Sequence, residues 1–132
     1  MACWLVKSDP ETYGLADLRR DGTTRWDGVS NPVALRHIRA IQKGDEILVY
    51  HTGDEKSVVG IARAASGGYA DPKNAKLAVF DLEFVRALDH PVTLAAVKAD
   101  PRFATFELVR VPRLSVMPVP EAARTRILAM SK

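Results

Sequence analysis

Two tryptophans near the start of the chain stand beside charged and hydroxyl side chains, at points where the pattern leaves a regular element and enters a turn. Residues 4–10 read Trp-Leu-Val-Lys-Ser-Asp-Pro, and residues 24–29 read Thr-Arg-Trp-Asp-Gly-Val. A flat indole ring with donors and acceptors around it suits a flat ligand with polar edges, such as a nucleobase. We therefore expect these segments to line a pocket that stacks on a planar ring and reads its edge.

The side chains in and after these segments supply both halves of that chemistry. Trp26 is the first candidate for stacking on a base, and Asp27 is placed to accept a hydrogen bond from an exocyclic amine. Lys7, Ser8 and Asp9 lie where the first predicted strand ends, and they offer donors and an acceptor to the same ligand. Structural roles compete with these interpretations, because a Trp can fill one end of a barrel and Asp is common in turns before Gly or Pro.

Trp4, Tyr50, His51 and Tyr69 are the remaining aromatic candidates. Trp4 lies inside a predicted strand, where core packing is the alternative to ligand contact. Tyr50 and His51 end a buried strand, where a phenol and an imidazole would add a second wall to the pocket. Tyr69 follows two glycines in a polar loop, and a ring of this size in such a loop predicts a lid.

Three basic side chains share one face of a predicted helix. Asn31 and Pro32 mark its start, because Asn caps a helix and Pro fits its first position. Arg36, Arg39 and Lys43 then recur on one face, and the apolar residues fall on another. We predict that these cations contact nucleic-acid phosphates, with a solvated surface as the alternative. Each such contact would steepen the salt dependence of binding by about one unit.

The composition is that of a globular chain. Its 132 residues predict a single domain over residues 1–132, and 47% hydrophobic with 27% charged residues argues against disorder. No apolar run approaches the ~20 residues of a membrane span, and no basic segment precedes an apolar stretch at the start. The only cysteine, Cys3, excludes an internal disulfide. We therefore expect a cytoplasmic protein without membrane contact, and its net charge of +3 favours an anionic partner only weakly.

Strand and helix patterns alternate too irregularly for a parallel doubly wound sheet. We predict strands at residues 3–7, 46–51, 57–65, 78–88, 106–110 and 113–116, and helices at residues 15–20, 31–43, 93–99 and 121–130. The strands at 46–51 and 57–65 should form a hairpin, and the alternation along 78–88 slips at Val85 and Arg86, as at a bulge. The pattern predicts an α+β fold: a small, mostly antiparallel, curved sheet or β-barrel of five to six strands with short helices at its rim.

The motifs of common nucleotide and nucleoside enzymes are missing from the sequence. A zinc deaminase needs cysteines that this chain lacks. The sequence contains neither a Gly-x-x-x-x-Gly-Lys-Ser/Thr loop for nucleoside triphosphates nor a Gly-x-Gly-x-x-Gly loop for dinucleotides. It also lacks the Gly-x-Ser-x-Gly motif of serine hydrolases. His51 with Asp54 and Glu55 resembles a metal site, but a turn explains these residues without one. We therefore predict no catalytic residue, no cofactor and no metal.

Five segments follow one another in a recognisable order, namely residues 4–10, 25–29, 50–51, 59–62 and 113–116. Over nearly the whole chain, this order resembles the EVE domain family, which is similar to the thymocyte nuclear protein 1 group and belongs to the PUA-like superfamily. The resemblance implies a PUA-like β-barrel with flanking helices and a binding role without catalysis. It implies modified nucleobases in DNA or RNA as the ligand class, and it adds Ser115 as a candidate contact.

The residues and the resemblance together predict a non-catalytic reader of modified nucleobases in DNA or RNA. Two other functions stay open at this point. An enzyme acting on a nucleoside or on RNA would use Asp9, Asp27 and His51 for acid–base work. A sensor of a nucleoside-like metabolite would use the same pocket without any nucleic-acid partner.

Overall fold

The computed structural model describes residues 2–132 as a curled sheet flanked by short helices. The strands are β1 (Cys3–Ser8), β2 (Thr23–Trp26), β3 (Glu46–His51), β4 (Ser57–Ala64), β5 (Tyr69–Asp71), β6 (Asn74–Thr93) and β7 (Val116–Pro118). The helices are α1 (Pro10–Tyr13), α2 (Leu15–Asp21), α3 (Pro32–Ala40), α4 (Leu94–Ala99), α5 (Glu107–Arg110) and α6 (Glu121–Met130), with a 3₁₀ turn at Pro101–Phe103. Within residues 2–132, no helix has both the length and the apolar character that crossing a membrane requires.

The seven strands form one mixed sheet in the order β2-β6-β4-β3-β1-β7, and β5 adds a short hairpin to β6. Strand β1 runs parallel to β3, with Cys3 opposite Glu46, and the other pairs among residues 2–132 are antiparallel. The predicted hairpin of β3 and β4 is present. The α+β, mostly antiparallel fold is therefore confirmed, with seven strands in place of five or six.

Strand β6 is where the sheet bends into a half-barrel. It is 20 residues long and pairs with β2, β4 and β5 at different points along its length. Ile61 of β4 lies opposite Arg86, and Ala62 lies opposite Phe84, which leaves Val85 as one extra residue on β6. Because such a bulge bends and twists a strand, it curls the sheet around its core. The irregularity predicted at this position is confirmed.

Helix α3 covers part of the core and begins where the sequence predicts. The Asn31 carboxamide oxygen accepts hydrogen bonds from the backbone N–H groups of Val33 at 2.9 Å and Ala34 at 3.1 Å, which caps the helix. On its inner face, Leu35 and Ile38 are buried. The helix ends at Ala40 rather than at residue 43.

The structure differs from the sequence prediction in further elements, and helix α1 and strand β5 are among those that the sequence does not predict. Residues 106–110 are helical rather than extended, because the N–H groups of Val109 and Arg110 bond back to the Phe106 carbonyl. The last strand is Val116–Pro118 rather than 113–116. Strand β2 was not expected, since only its pairing with β6 at the sheet edge makes it extended.

Candidate ligand-binding pocket

A cavity of about 710 Å³ lies between the end of β1 and strand β2. In the sheet order, β6, β4 and β3 separate these two strands, so the curl of the sheet is what brings them together. The volume falls within the range of about 300–1,000 Å³ that small-molecule sites occupy. The residues that line it are Lys7, Ser8, Asp9, Thr12, Tyr13, Thr24, Arg25, Trp26, Asp27, Gly28, Val29, Ser30, Asn31 and Ser115.

Trp26 is the largest aromatic surface in this cavity. As the last residue of β2 it lies opposite Phe80, and it is half-buried because it packs against the core and also lines the opening. Its indole N–H finds no acceptor within residues 2–132. The ring is therefore held in place by packing while both a face and a donor stay available to a ligand.

The loop after Trp26 supplies an acceptor and an apolar contact. Asp27 is exposed and lines the cavity. Gly28 follows with a φ of 77°, a conformation that favours glycine and turns the chain. Val29 then packs against the core while it lines the same opening. The loop thus places a carboxylate and an aliphatic side chain beside one indole.

On the opposite side of the cavity, Lys7 is already engaged by the protein. Its ammonium donates to the Pro112 carbonyl at 2.7 Å and lies 5.5 Å from the centroid of the Tyr50 ring. Burial lowers the pKa of Lys7. Its backbone N–H also donates to the Ser115 carbonyl at 2.9 Å. Lys7 therefore joins β1 to the segment before β7, and this joint places Ser115 at the cavity.

Ser8 and Asp9 both hold the short helix α1 in place. The Ser8 hydroxyl donates to the Tyr13 carbonyl at the end of α1. The Asp9 carboxylate accepts from the backbone N–H of Glu11 at 2.9 Å, and so caps the start of α1. The turn role of Asp9 that the sequence left open is present, and one of its carboxylate oxygens remains without a hydrogen bond among residues 2–132.

Arg25 lines the cavity and is tied to Tyr69. The Arg25 Nε donates to the Tyr69 hydroxyl at 3.2 Å, and that hydroxyl donates to Asp81 Oδ1 at 2.7 Å. The bond to Asp81 raises the pKa of Tyr69. Tyr69 does not line the cavity, so the residue expected to be a lid instead supports Arg25. Sequence reasoning missed Arg25, although it directly precedes Trp26.

The structure does not bring Trp4 into the cavity. Trp4 is 8% exposed, and its indole N–H donates to Asp45 Oδ2 at 2.9 Å. The same carboxylate oxygen accepts from the backbone N–H of Gln42 at 2.9 Å. The indole also lies at a tilt against the His37 ring, with centroids 5.9 Å apart. Trp4 is thus a core residue, the alternative that its strand position had left open.

Tyr50 and His51 also lie outside the cavity lining. Tyr50 is 3% exposed, and burial raises its pKa. His51 is 7% exposed, and its two ring nitrogens contact the Leu15 backbone N–H and the Glu55 carboxylate, each at 3.0 Å. The second aromatic wall is therefore not formed by these two side chains. Tyr13, which sequence reasoning missed, lines the cavity instead.

The predicted phosphate-binding residues Arg36, Arg39 and Lys43 are exposed, and none of them lines the cavity. Arg39 reaches across to the edge of β6, where its guanidinium donates to the Lys76 carbonyl at 3.0 Å. Lys43 lies beyond the end of α3 at Ala40. Their contact with nucleic acid stays a prediction. Within residues 2–132, no cluster of three or more His, Cys, Asp or Glu side chains is arranged to hold a metal ion.

Comparison with protein families gives a match to the EVE domain over residues 2–130. The fold is similar to that of a Rhodopseudomonas palustris protein, with 38% identity, coverage of 99% and 93% of the two chains, and a TM-score of 0.94. It is also similar to an Agrobacterium tumefaciens protein, with 31% identity, the same coverage and a TM-score of 0.95. Human THYN1 in complex with 5-methylcytosine-containing DNA shares the fold at 24% identity, with coverage of 100% and 98% and a TM-score of 0.91.

Among curated proteins, human thymocyte nuclear protein 1 is 28% identical over 73% of this chain and 55% of the relative. The chicken (Gallus gallus) protein of that name is 28% identical over 72% of this chain and 51% of the relative. The chain therefore spans about half the length of these two relatives.

Proposed function

Since the chain belongs to the EVE domain family, we propose that it is a single non-catalytic module, over residues 1–132, that binds a modified nucleobase in DNA or RNA. The observation that carries the proposal is the cavity in which the half-buried Trp26 ring lies beside Arg25, Asp27 and Val29. A stacking surface, a cation, a carboxylate and an aliphatic side chain together suit a planar, polar-edged ring with an apolar substituent.

A solved relative supports the same class of ligand. The human THYN1 structure, which has a similar fold, holds DNA that contains 5-methylcytosine. This makes 5-methylcytosine the first base to test on the present chain, and other modified bases follow from the same pocket chemistry.

In this proposal the base leaves its stack and places one face on Trp26, an interaction of about 1–3 kcal/mol. The Asp27 carboxylate accepts from an exocyclic amine, because it is exposed and negatively charged. A methyl group packs against Val29. Arg25, held by Tyr69 through its Nε, keeps its terminal guanidinium nitrogens for a carbonyl or phosphate oxygen.

The backbone of the nucleic acid adds attraction without sequence information. Lys7 is engaged by the Pro112 carbonyl, so Arg25 is the cation of the lining best placed for a phosphate. Arg36, Arg39 and Lys43 lie outside the cavity and would add phosphate contacts on the exposed surface. Each contact that forms steepens the dependence of affinity on salt by about 0.9 units for a duplex and about 0.7 for a single strand.

The lack of catalysis is part of the proposal. The Cys3 thiol is buried, and burial together with the nearby Glu46 carboxylate raises its pKa to about 12. A thiol that stays protonated is a poor nucleophile. A single cysteine that forms no disulfide also fits the reducing cytoplasm, which we propose as the location.

The test is a binding titration with matched probes: fluorescent DNA and RNA oligonucleotides with one 5-methylcytosine, the same oligonucleotides unmodified, and free 5-methyldeoxycytidine. We expect the modified strand to bind more tightly than the plain one. Trp26→Ala should remove this preference with a loss of about 5- to 150-fold in affinity, and Trp26→Phe should keep part of it, because a ring remains.

Equal affinity for modified and plain strands, unchanged in Trp26→Ala, would overturn the proposal. Free nucleoside bound as tightly as the oligonucleotide would indicate a metabolite sensor. Conversion of the nucleoside, abolished in Asp27→Asn, would indicate an enzyme.

A further inference from the structure

One wall of the pocket is a short segment that packs on the sheet through the buried side chains of Leu15 and Leu18. Helices α1 and α2 follow β1 directly, and Thr12 and Tyr13 at the end of α1 line the cavity. Two side chains of the sheet hold the junction between these helices. The Ser8 hydroxyl bonds to the Tyr13 carbonyl, and the His51 ring bonds to the backbone N–H of Leu15.

The bond to Leu15 fixes the protonation state of His51. A backbone N–H can only donate, so the Nε2 that lies 3.0 Å from it must be unprotonated and accept. The proton of the neutral ring is then on Nδ1, which donates to Glu55 Oε2 at 3.0 Å. His51 is 7% exposed and its hydrogen bond with Leu15 is buried, so water is poorly placed to replace the Leu15 N–H.

The side chain of Leu15 packs against Gly60 of β4, the strand that pairs with the strand of His51. A Cβ atom added at Gly60 of β4 would lie 2.7 Å from both methyl carbons of Leu15. Glycine therefore leaves the depression that Leu15 fills. His51 therefore positions the backbone of Leu15, and the space at Gly60 positions its side chain. Because Leu15 is the first residue of α2, these two contacts determine where α2 begins. They also determine the position of Tyr13, which lies two residues earlier.

We propose that His51 is a positioning residue that holds the α1–α2 wall of the pocket only while its Nε2 is unprotonated. This proposal rests on the proposed function for its ligand measurement, but the attachment itself does not depend on any ligand. Protonation would place an N–H of the imidazolium against the N–H of Leu15, and the hydrogen bond would be lost. The affinity of the pocket then falls in acid.

Charged side chains on the elements around His51 set the electrostatic environment of its ring. The neighbouring elements carry ionisable residues, which are Lys7 in β1, Asp9 after it, Glu11 and Tyr13 in α1, Asp17, Arg19, Arg20 and Asp21 in α2, and Asp54, Glu55 and Lys56 in the turn before β4. The Glu55 carboxylate stabilises the protonated form of the His51 imidazole, whereas the Leu15 N–H destabilises that form. Histidine is the side chain that titrates between about pH 5 and 8.

Two substitutions of His51 distinguish the contribution of Nε2 from that of Nδ1. In His51→Gln the amide oxygen reaches about as far as Nε2, so the acceptor for Leu15 is retained without a titrating group. In His51→Asn the shorter side chain reaches only as far as Nδ1, so the Leu15 bond is lost. The exposed His90, which lies late in β6, provides the matched control His90→Gln.

The first experiment measures the affinity for the methylated oligonucleotide from about pH 8 to about pH 5.5. The wild type and His90→Gln should weaken in acid by about two- to tenfold, the size expected for one hydrogen bond. His51→Gln should stay close to the neutral-pH value, and His51→Asn should be weak at every pH. Equal behaviour of the Gln and Asn variants, or an acid response retained in His51→Gln, would overturn the proposal.

The second experiment needs no ligand. Nitrogen-15 spectra of the imidazole should show Nε2 unprotonated at neutral pH. The protection factor of the Leu15 amide, which compares its exchange rate with the intrinsic rate at the same pH, should be lower in acid than at neutral pH in the wild type, and lower in His51→Asn than in His51→Gln. If these results hold while no oligonucleotide binds, the proposed function fails and the attachment stands. A protonated Nε2 at neutral pH would remove the attachment itself.

Discussion

The two tryptophans occupy opposite environments, although each belongs to a segment that also contains charged and hydroxyl side chains. Trp4 lies in β1, which has β3 on one side and β7 on the other, and its indole N–H is satisfied by Asp45. Trp26 lies in β2, an edge strand that pairs with β6 alone, and its indole is partly exposed to a cavity. The position of the strand in the sheet, more than its local sequence, decides whether a tryptophan becomes core or pocket wall.

The largest effect should come from removing the buried member of the pair. Trp4→Ala deletes a nearly inaccessible indole and should lower the free energy of unfolding by about 3–5 kcal/mol. Urea denaturation followed by circular dichroism measures this directly. A loss in Trp26→Ala as large as that in Trp4→Ala would abolish the distinction between the two regions.

The next effect concerns the acceptor of the Trp4 indole. Asp45→Ala leaves the buried indole N–H of Trp4 and the part-buried backbone N–H of Gln42 without their acceptor, and should destabilise the protein by about 1–3 kcal/mol. Asp45→Asn retains an acceptor oxygen and should be milder. Combined with Trp4→Phe, the loss in Asp45→Ala should be less than additive, because both changes break one hydrogen bond. Full additivity would contradict this account.

A smaller effect on stability is expected at the pocket. Trp26→Ala should change the free energy of unfolding by less than about 2 kcal/mol, because the ring is half-buried and its N–H has no partner among residues 2–132. The same variant should lose the preference for a methylated strand. Stability and affinity should be measured on the same preparation. A Trp26→Ala protein that is strongly destabilised but keeps its preference for the methylated strand would reverse the assignment.

The smallest effect is a pH dependence beside Trp4. Burial lowers the pKa of His37, with Glu107 opposing and Arg36 assisting the shift. The folded state therefore prefers the neutral ring, and the unfolded chain takes up a proton first as the pH falls. Stability should thus decrease slightly as the pH drops below about 6.5, the ordinary value for histidine. Denaturation curves of the wild type and His37→Gln should diverge in that interval; parallel curves would exclude His37 as the cause.

Elements whose signals are local are the ones that the sequence predicts well. Asn31 caps α3, Thr93 caps α4, and α6 covers residues 121–130, as expected. The extra residue at Val85 is visible in the alternation of β6. Each of these depends on side chains within a few positions of one another.

The features that the sequence does not predict depend on contacts between residues that are far apart in the chain. The two ends of the pocket, at Lys7 and Trp26, meet only because the sheet curls, and no spacing along the chain encodes that contact. The sequence predicts that Tyr50 and His51 form a pocket wall because they end a buried strand. Whether such residues line a pocket or pack in the core depends on their burial, which here comes from contacts with other elements such as α2 and β4. Arg25 carries no pattern of its own and is identified by its contact with Tyr69.

The layout of the sheet also has a consequence for the order in which the protein is built. The antiparallel neighbours β3, β4 and β6 come from one continuous stretch, residues 46–93, whereas every residue that lines the pocket lies at 7–31 or at 115. Short-range pairings close smaller loops and form sooner than long-range ones. The central meander is therefore expected to assemble first and the two chain ends to dock onto it afterwards. Partly folded molecules would possess a scaffold but no complete pocket, since the pocket forms only after residues 7–31 and Ser115 have docked on the meander.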